Sequence, residues 1–540
     1  MYAAKKRAKY DEKHVAVCIV IGQIEQIRGN FKVALHRFEE ALEISKSLGY
    51  EEGMIMAYDN LGDLCRKRAK WASSEKYYRE ELKIAVQTFD VKKYVDLTNE
   101  IGALYRIKTY YETAIEMHKE ALNTSLENCL DRQVVDSKVA IARALIDSRK
   151  YFEAKTYLEE ARNLSEKINY PEGKGKSCLS LALLLSRTDI SLSETLDYVE
   201  ESLRIWMNEK RNQVYIARAH ATRARIFAER GEQIKAEQDI DLALKFVRDW
   251  GEIREEGYIL KEKGAIYLYL GQYKKSIKYY LQALEIAVKI EDKLLESILY
   301  CDIGTTYSLI GEAEKGENYL QKAYSLKNEL QLPVELLNNY NNLACLYIDL
   351  RQYDEAIRLL EESEGMLQEQ NDLSLYSSVF NNLAECYKYK KEIEKAIEYG
   401  KKALKSAERV KDINSLAIAQ ITLSEAYLEL GDDEKAYELL KGASRTFFEM
   451  NDRIGIAYSK RIDGKINIVR GKFQKAEKSL LECEKILREI GAKFELIETL
   501  ETMVNFYFLI KREQKYKKKR EELISLYQEV GLPRNSWKYS

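Results

Sequence analysis

Apolar residues recur along this chain with the three-to-four-residue spacing of an amphipathic helix, and the pattern restarts at regular intervals. The clearest stretch, Lys261–Ile290, holds two such runs with Gly271 between them. Glycine suits a tight connection between helices because it adopts backbone conformations that other residues resist. The stretch therefore predicts a helical hairpin, with Gly264 and Ser276 as small residues where the two helices approach closely.

The hairpin pattern returns every 40 residues along nearly the whole chain. Two series of small residues keep this period, one in the middle of each first helix and one near the start of each second helix. The first series is Gly22, Gly62, Gly102, Ala142, Ala182, Ala224, Gly264, Gly304, Ala344, Ala384, Ser424 and Gly464. The second series is Ala34, Ser74, Ala114, Ala154, Thr195, Ala236, Ser276, Gly316, Ala356, Ala396, Ala436 and Ala476. Twelve repeats and a degraded thirteenth predict an all-α fold, a right-handed α-solenoid (superhelix) of about 12–13 antiparallel helix pairs.

The fixed period predicts one elongated domain rather than several globular ones, because each repeat packs mainly on its neighbours. We expect residues 1–9 to be an N-terminal lead-in and residues 10–510 a continuous solenoid. A longer loop at Arg187–Glu194 indicates a seam near residues 170–195. We expect residues 511–540 to be a basic capping helix with a frayed tail, since a terminal helix meets water on its outer face.

The order of small and aromatic positions resembles the tetratricopeptide repeat, a helix-turn-helix unit that is commonly 34 residues long. The longer period is similar to the long-helix subclass of kinesin light chains, Leu-Gly-Asn-repeat adaptors and sensor arms of bacterial transcription activators. Residues 60–63, Asn-Leu-Gly-Asp, match that subclass closely, as do residues 342–344 and 382–384. The pattern departs where leucine or isoleucine is expected, at Arg223, Lys263 and Asp463, and looser packing is expected there.

Charge and hydropathy narrow the range of partners. The chain has 87 Lys and Arg residues against 88 Asp and Glu residues, which leaves no net field to attract nucleic acid or a membrane surface. It has no apolar run of 18 residues, and its N-terminal stretch lacks the apolar core of a signal peptide. We therefore expect a cytoplasmic chain that has no membrane partner and does not use nucleic acid. The eight dispersed cysteines are typical of free thiols in a reducing compartment.

The sequence offers no recognisable catalytic constellation. It has no nucleophile elbow, no H-E-x-x-H pair and no glycine-rich dinucleotide turn. The four histidines, His14, His36, His118 and His220, look too dispersed to form a metal site with the cysteines. The chain is therefore predicted to be non-enzymatic, with no catalytic residue, metal or cofactor.

In proteins of the resembled family the first helix of each pair lines the concave wall, which implies where a guest would bind. Positions −6, −3, +1 and +4 from the central small residue form one stripe of that helix. In the first half of the chain this stripe carries the cationic residues Arg106, Arg143, Lys176, Arg218 and Arg225. In the second half it carries an asparagine ladder, Asn338, Asn341 and Asn381. Arginine binds carboxylates bidentately, and asparagine amides can hold the main chain of an extended peptide.

The leading hypothesis is a non-enzymatic scaffold that binds a peptide or helical segment of another protein, preferably an acidic one, in the concave groove. An alternative is the sensing arm of a signalling ATPase or transcription activator complex. A third is a nucleic-acid adaptor that uses the basic segment Lys511–Arg520. Solvated helix rows often carry such polar residues without binding anything, and the sequence leaves the oligomeric state open.

Overall fold

The structure is a computed structural model that describes residues 11–188, 192–209, 212–370, 375–410, 412–450 and 452–532. Within these ranges the chain forms 26 α-helices and no strand, which confirms the predicted all-α solenoid. The predicted lead-in and the tail beyond residue 532 lie outside the described residues. The odd-numbered helices open the pairs: α1 (Glu12–Ile27), α3 (Glu51–Lys67), α5 (Val91–Ile107), α7 (Asp131–Asp147), α9 (Pro171–Thr188), α11 (Gln213–Glu229), α13 (Ile253–Tyr269), α15 (Lys293–Leu309), α17 (Pro333–Asp349), α19 (Tyr376–Tyr389), α21 (Ile413–Leu430), α23 (Arg453–Val469) and α25 (Lys493–Leu509). The even-numbered helices close them: α2 (Phe31–Leu48), α4 (Trp71–Gln87), α6 (Tyr111–Glu127), α8 (Tyr151–Lys167), α10 (Leu192–Glu209), α12 (Gln233–Asp249), α14 (Tyr273–Lys289), α16 (Ala313–Glu329), α18 (Tyr353–Gln370), α20 (Ile393–Val410), α22 (Asp433–Glu449), α24 (Phe473–Ile490) and α26 (Glu513–Glu529).

Short turns join most of these helices, and the turn at Gly271 shows how they close. Gly271 adopts φ +69° between α13 and α14, as the sequence predicts. Its amide donates to the carbonyl oxygen of Leu268, and the next amide, of Gln272, donates to that of Tyr267. The last carbonyl groups of α13 are thereby paired, and the chain reverses direction within three residues.

The small residues of the first series face large residues of the second helix in the same pair. A Cβ atom added at Gly62 would lie 2.6 Å from Cδ1 of Tyr78, and one added at Gly264 would lie 2.5 Å from the same atom of Tyr280. Where the first helix carries Ala142 instead, the residue sixteen positions later is Leu158, and both side chains are fully buried. At Gly62 and Gly264 the missing side chain is therefore matched to the tyrosine ring that covers it, whereas Gly304 and Gly464 lie beneath Leu320 and Leu480.

This size match predicts the effect of Gly62→Ala. We expect a loss of about 1–3 kcal/mol in the free energy of unfolding, because the new methyl group would overlap the buried ring of Tyr78. Adding Tyr78→Leu should recover part of the loss, because the pair would then copy Ala142 and Leu158.

The control is Gly365→Ala in α18, where an added Cβ meets nothing within 4 Å. That variant should gain up to about 1 kcal/mol from helix propensity. Denaturant titration followed by circular dichroism measures all three variants, and an unchanged Gly62→Ala would contradict the match.

Repeats that are far apart in sequence also touch, because the superhelix completes one coil in about six repeats. We call these repeats the first coil and the following ones the second coil. The indole N–H of Trp71 donates to the carbonyl oxygen of Leu330 at 3.2 Å, and Arg149 pairs with Asp412 at 3.0 Å. We call the apolar part of this contact the inter-coil interface. It consists of Ala69, Trp71 and Leu104 from one coil against Leu326, Leu330 and Leu332 from the next.

The last helix pair makes a second set of long-range contacts. Arg351 pairs with Glu501 of α25 at 2.5 Å, and the hydroxyl of Tyr389 donates to Glu498 of the same helix. Near Gly271, a Cβ atom would meet Ile490 at the end of α24. The last two repeats are thus held against repeats seven, nine and ten, in addition to their immediate neighbours.

Candidate functional site

The predicted cationic stretch lies on consecutive first helices, α5, α7, α9 and α11, and three of its members come close together. Arg143 on α7 is half-buried between Arg106 on α5 and Arg218 on α11. Burial lowers the pKa of Arg143, and the positive charges of Arg106 and Arg218 lower it further. The first coil of the solenoid therefore concentrates positive charge at Arg143.

The other four cationic residues are paired with carboxylates of their own or a neighbouring repeat. Arg218 binds Glu255 through two hydrogen bonds, 2.6 and 3.1 Å long, and Arg106 pairs with Asp147 at 2.5 Å. The remaining two pairs are Lys176 with Glu172 and Asp136, at 2.8 and 3.3 Å, and Arg225 with Glu262, at 3.8 Å. The stretch is therefore closer to neutral than the sequence stripe alone indicates.

Arg143 differs from these four residues. Among the described residues it has no carboxylate within 4 Å. Its Nε donates a long hydrogen bond, 3.4 Å, to the hydroxyl of Ser180, and Tyr215 is a second polar neighbour. Beside it, Tyr215 stacks on Trp206 with ring centroids 4.6 Å apart. The guanidinium of Arg218 lies 5.9 Å from the centroid of the Tyr215 ring. Arg143 therefore presents an unneutralised guanidinium next to a fixed aromatic surface.

The predicted asparagine ladder is only partly available to a guest. Asn341 already accepts a hydrogen bond from Asn382 at 2.8 Å. Asn381 is buried, and its Oδ1 atom has no hydrogen-bond partner among the described residues. Asn338 is half-buried on α17. Asn338 and Asn341 are therefore both partly accessible to solvent, and Asn381 is buried.

A buried charge network in the second coil, centred on Glu425 of α21, is absent from the predicted site. Its carboxylate oxygens lie 2.6 Å from Nζ of Lys388 and 2.8 Å from Nζ of Lys465, and Arg461 is 3.5 Å away. Burial opposes the charged form of Glu425, but the three cations outweigh burial and hold its pKa well below the usual 4.5. Glu425 occupies the +1 position after Ser424, and its three partners also occupy stripe positions, +4 after Ala384 and −3 and +1 around Gly464. The stripe therefore contains all four residues but does not reveal that they pair with one another.

The basic segment Lys511–Arg520 lies largely on α26, where carboxylates pair with three of its five lysines. Lys519 approaches Glu484 at 2.6 Å and Glu522 at 2.9 Å. Lys517 pairs with Glu513 at 2.8 Å, and Lys515 pairs with Glu477. This pairing favours a structural role for α26, as the second helix of the last pair, over a nucleic-acid contact.

Comparisons with known proteins support the architecture. Models of the tetratricopeptide repeat match residues 17–86, 256–329 and 375–446, and a second model of that repeat matches residues 337–363. The cell division cycle protein 16 homolog of Homo sapiens is 24% identical over 207 residues, which are 35% of this chain and 32% of that protein. The chain thus spans about a third of the length of the curated relatives it matches, of which the Mus musculus homolog is another.

Solved structures of low sequence identity were also compared with this chain, and the first of them shares its fold. A Rap protein complexed with Competence and Sporulation Factor is 14% identical with a TM-score of 0.51, covering 66% of this chain and 98% of that one. A signal transduction ATPase with a tetratricopeptide repeat sensor, from Pyrococcus horikoshii, is 17% identical with a TM-score of 0.43, covering 66% and 55%. Across the part of the chain that the structure describes, none of the helices has the length and apolar character needed to span a bilayer.

Proposed function

We propose that this chain, which is built of tetratricopeptide repeats, is a non-enzymatic scaffold that binds a segment of a partner protein along its inner wall. Stacked helix pairs form an extended concave surface whose shape is set by the repeat interfaces and not by the guest. A long, preformed wall of this kind suits an extended peptide or a single helix. The interaction role rests on the repeat architecture, and the chemistry of the guest rests on Arg143.

The unneutralised guanidinium of Arg143 is the single observation that favours an acidic guest. A carboxylate arriving there would satisfy the N–H groups of Arg143 with charge-assisted hydrogen bonds. It would also offset the mutual repulsion of Arg143, Arg106 and Arg218. The other proposed contacts are secondary. Lys176, Arg225 and Asn341 must exchange or share an existing partner, Asn381 is buried, and Asn338 is half-buried.

Arg143→Gln should weaken binding of an acidic peptide roughly 10- to 100-fold, which corresponds to the 1.5–3 kcal/mol of a hydrogen bond to a charged group. The probe is a fluorescein-labelled glutamate-rich peptide, and the measurement is fluorescence anisotropy at two salt concentrations. Joint charge reversal, Arg143→Glu with Arg225→Glu, should abolish binding within the measurable range.

The matched control for that test is Arg445→Gln, because Arg445 lies exposed on α22 and pairs within its own helix with Glu449. Its affinity for the acidic peptide should equal that of the unmodified chain. A lysine-rich peptide of the same length should bind neither protein. Equal affinities of Arg143→Gln and Arg445→Gln would remove the electrostatic part of the proposal, whereas the scaffold role would still be open to test with a neutral peptide.

A further inference from the structure

The first helix pair brings together a histidine, a cysteine and a glutamate side chain. A ring nitrogen of His14, the sulfur of Cys18 and a carboxylate oxygen of Glu40 all lie within 4.8 Å of one another. His14 and Cys18 are one turn apart on α1, and Glu40 reaches them from α2. In the part of the chain that the structure describes, no second group of three such side chains is found. The three side chains are therefore close enough to share one ion, although their spacing in the sequence looks dispersed.

We propose that His14, Cys18 and Glu40 form a binding site for a zinc ion. Imidazole nitrogen, thiolate sulfur and carboxylate oxygen are the three kinds of ligand that zinc uses in proteins. The four-residue spacing places the first two donors on one face of α1. Three protein ligands would leave the fourth tetrahedral position open to water or to an external ligand.

The surroundings of the site hold its donors in place. The guanidinium of Arg37 lies 2.8 Å from Oε2 of Glu40 and so orients this carboxylate. A ligating carboxylate that is fixed by a second hydrogen bond is a common feature of metal sites. Cys18 is only 2% exposed, whereas His14 is exposed, so an ion could enter from the His14 side and rest over the buried thiol.

The charges around the site set the expected strength of binding. Arg37 adds a positive charge close to the ion, although its pairing with Glu40 offsets much of it. We therefore expect weaker binding than at a structural site with four ligands. An ion at this place would link the first turn of α1 to α2 and so fasten the first hairpin of the solenoid.

Cobalt(II) titration of the full, reduced and chelator-treated chain tests the site, because a thiolate bound to cobalt gives a charge-transfer absorption band. We expect one equivalent of cobalt to bind, and one equivalent of zinc to displace it with loss of the band. Cys18→Ser and His14→Ala should abolish the band, and Glu40→Gln should weaken zinc binding by at least about tenfold.

Cys129→Ser provides the matched control, because Cys129 is an exposed thiol in the turn after α6. This variant should keep the band at full strength. His14 is exposed, so the helicity of His14→Ala, measured by circular dichroism, should match that of the unmodified chain. The absence of a band in the unmodified chain would overturn the proposal, and so would a band that survives in Cys18→Ser and disappears in Cys129→Ser.

Discussion

Glu425→Ala should lower the free energy of unfolding of the second coil by about 3–5 kcal/mol, since removal of one partner of a buried charge network leaves the others uncompensated. Glu425 is nearly inaccessible to water, and so are Lys388 and Arg461. All three cations that converge on Glu425 would then lose their common counter-charge, and Arg461 would retain only Glu498. The free energy lost in the variant therefore comes mainly from the buried Lys388 and Arg461, whose remaining counter-charges are Glu385 at 3.9 Å and Glu498.

Amide hydrogen exchange of α21 and α23, together with denaturant titration, measures this loss locally as well as globally. Glu429→Ala is the matched control, because Glu429 is one turn further along α21 and forms an exposed pair with Lys391. That control should change stability by no more than about 0.5 kcal/mol. Similar values for the two variants would show that the network around Glu425 contributes little.

Acidification should act on the same network. The pKa of Glu425 is held well below 4.5 in the folded chain, so the folded carboxylate binds its proton less readily than the unfolded one. Its contribution to stability is therefore complete above the pKa of an unfolded glutamate and declines as the pH falls below it. Asp63 acts in the same direction, because its ion pairs with Lys67 and Arg66 outweigh its burial and lower its pKa to about 2.

Local structure was the part of the fold that the sequence could predict. The residue Gly271 marked a helix connection correctly, because its left-handed conformation is one that glycine adopts at little cost. A search for glycine alone would miss other turns. Eleven described non-glycine residues, among them Ala69, Phe89 and Arg149, also have a positive φ, between 52° and 67°. At those turns the prediction depends on the 40-residue period and not on the residue type.

The positions that depart from the family pattern were expected to pack loosely, and the structure shows polar pairing there. Arg223 binds Asp239 through two hydrogen bonds, of 2.6 and 2.8 Å. Lys263 pairs with Asp241 at 2.5 Å, and Asp463 accepts a hydrogen bond from Ser479 at 2.6 Å. In each case the partner comes from a neighbouring helix, the following one for Arg223 and Asp463 and the preceding one for Lys263. A prediction made position by position could therefore not show that a polar contact replaces the apolar one.

The sequence could predict which residues of the candidate site lie in one row. It could not predict which of their charges are neutralised by neighbouring carboxylates. The stripe correctly places Arg106, Arg143 and Arg218 near one another. It omits Asp147 and Glu255, which neutralise two of them from positions outside the stripe. It also cannot anticipate contacts between coils, because these depend on small rotations between repeats that accumulate over about six units.

Trp71→Ala should produce the other large effect, a loss of about 3–5 kcal/mol, since truncation of a buried tryptophan removes its packing and leaves a cavity. Trp71 is 8% exposed and packs against Leu326, Leu330 and Leu332 of the next coil. It also donates its indole N–H across that interface, to a residue 259 positions away. The variant should therefore separate the two coils as well as loosen the second repeat, and the radius of gyration measured by small-angle X-ray scattering should rise.

Two further variants distinguish the inter-coil interface from the local packing of the second repeat. Trp71→Phe keeps most of the apolar contact and removes the hydrogen bond to Leu330, so its loss should be small, and the radius of gyration should stay unchanged. Phe152→Ala, at a side chain 81% exposed near the start of α8, should alter neither quantity. If Trp71→Ala lost stability without any expansion, the coils would be held by the ion pairs of Arg149 with Asp412 and of Arg68 with Glu291, and the apolar patch would serve the second repeat alone.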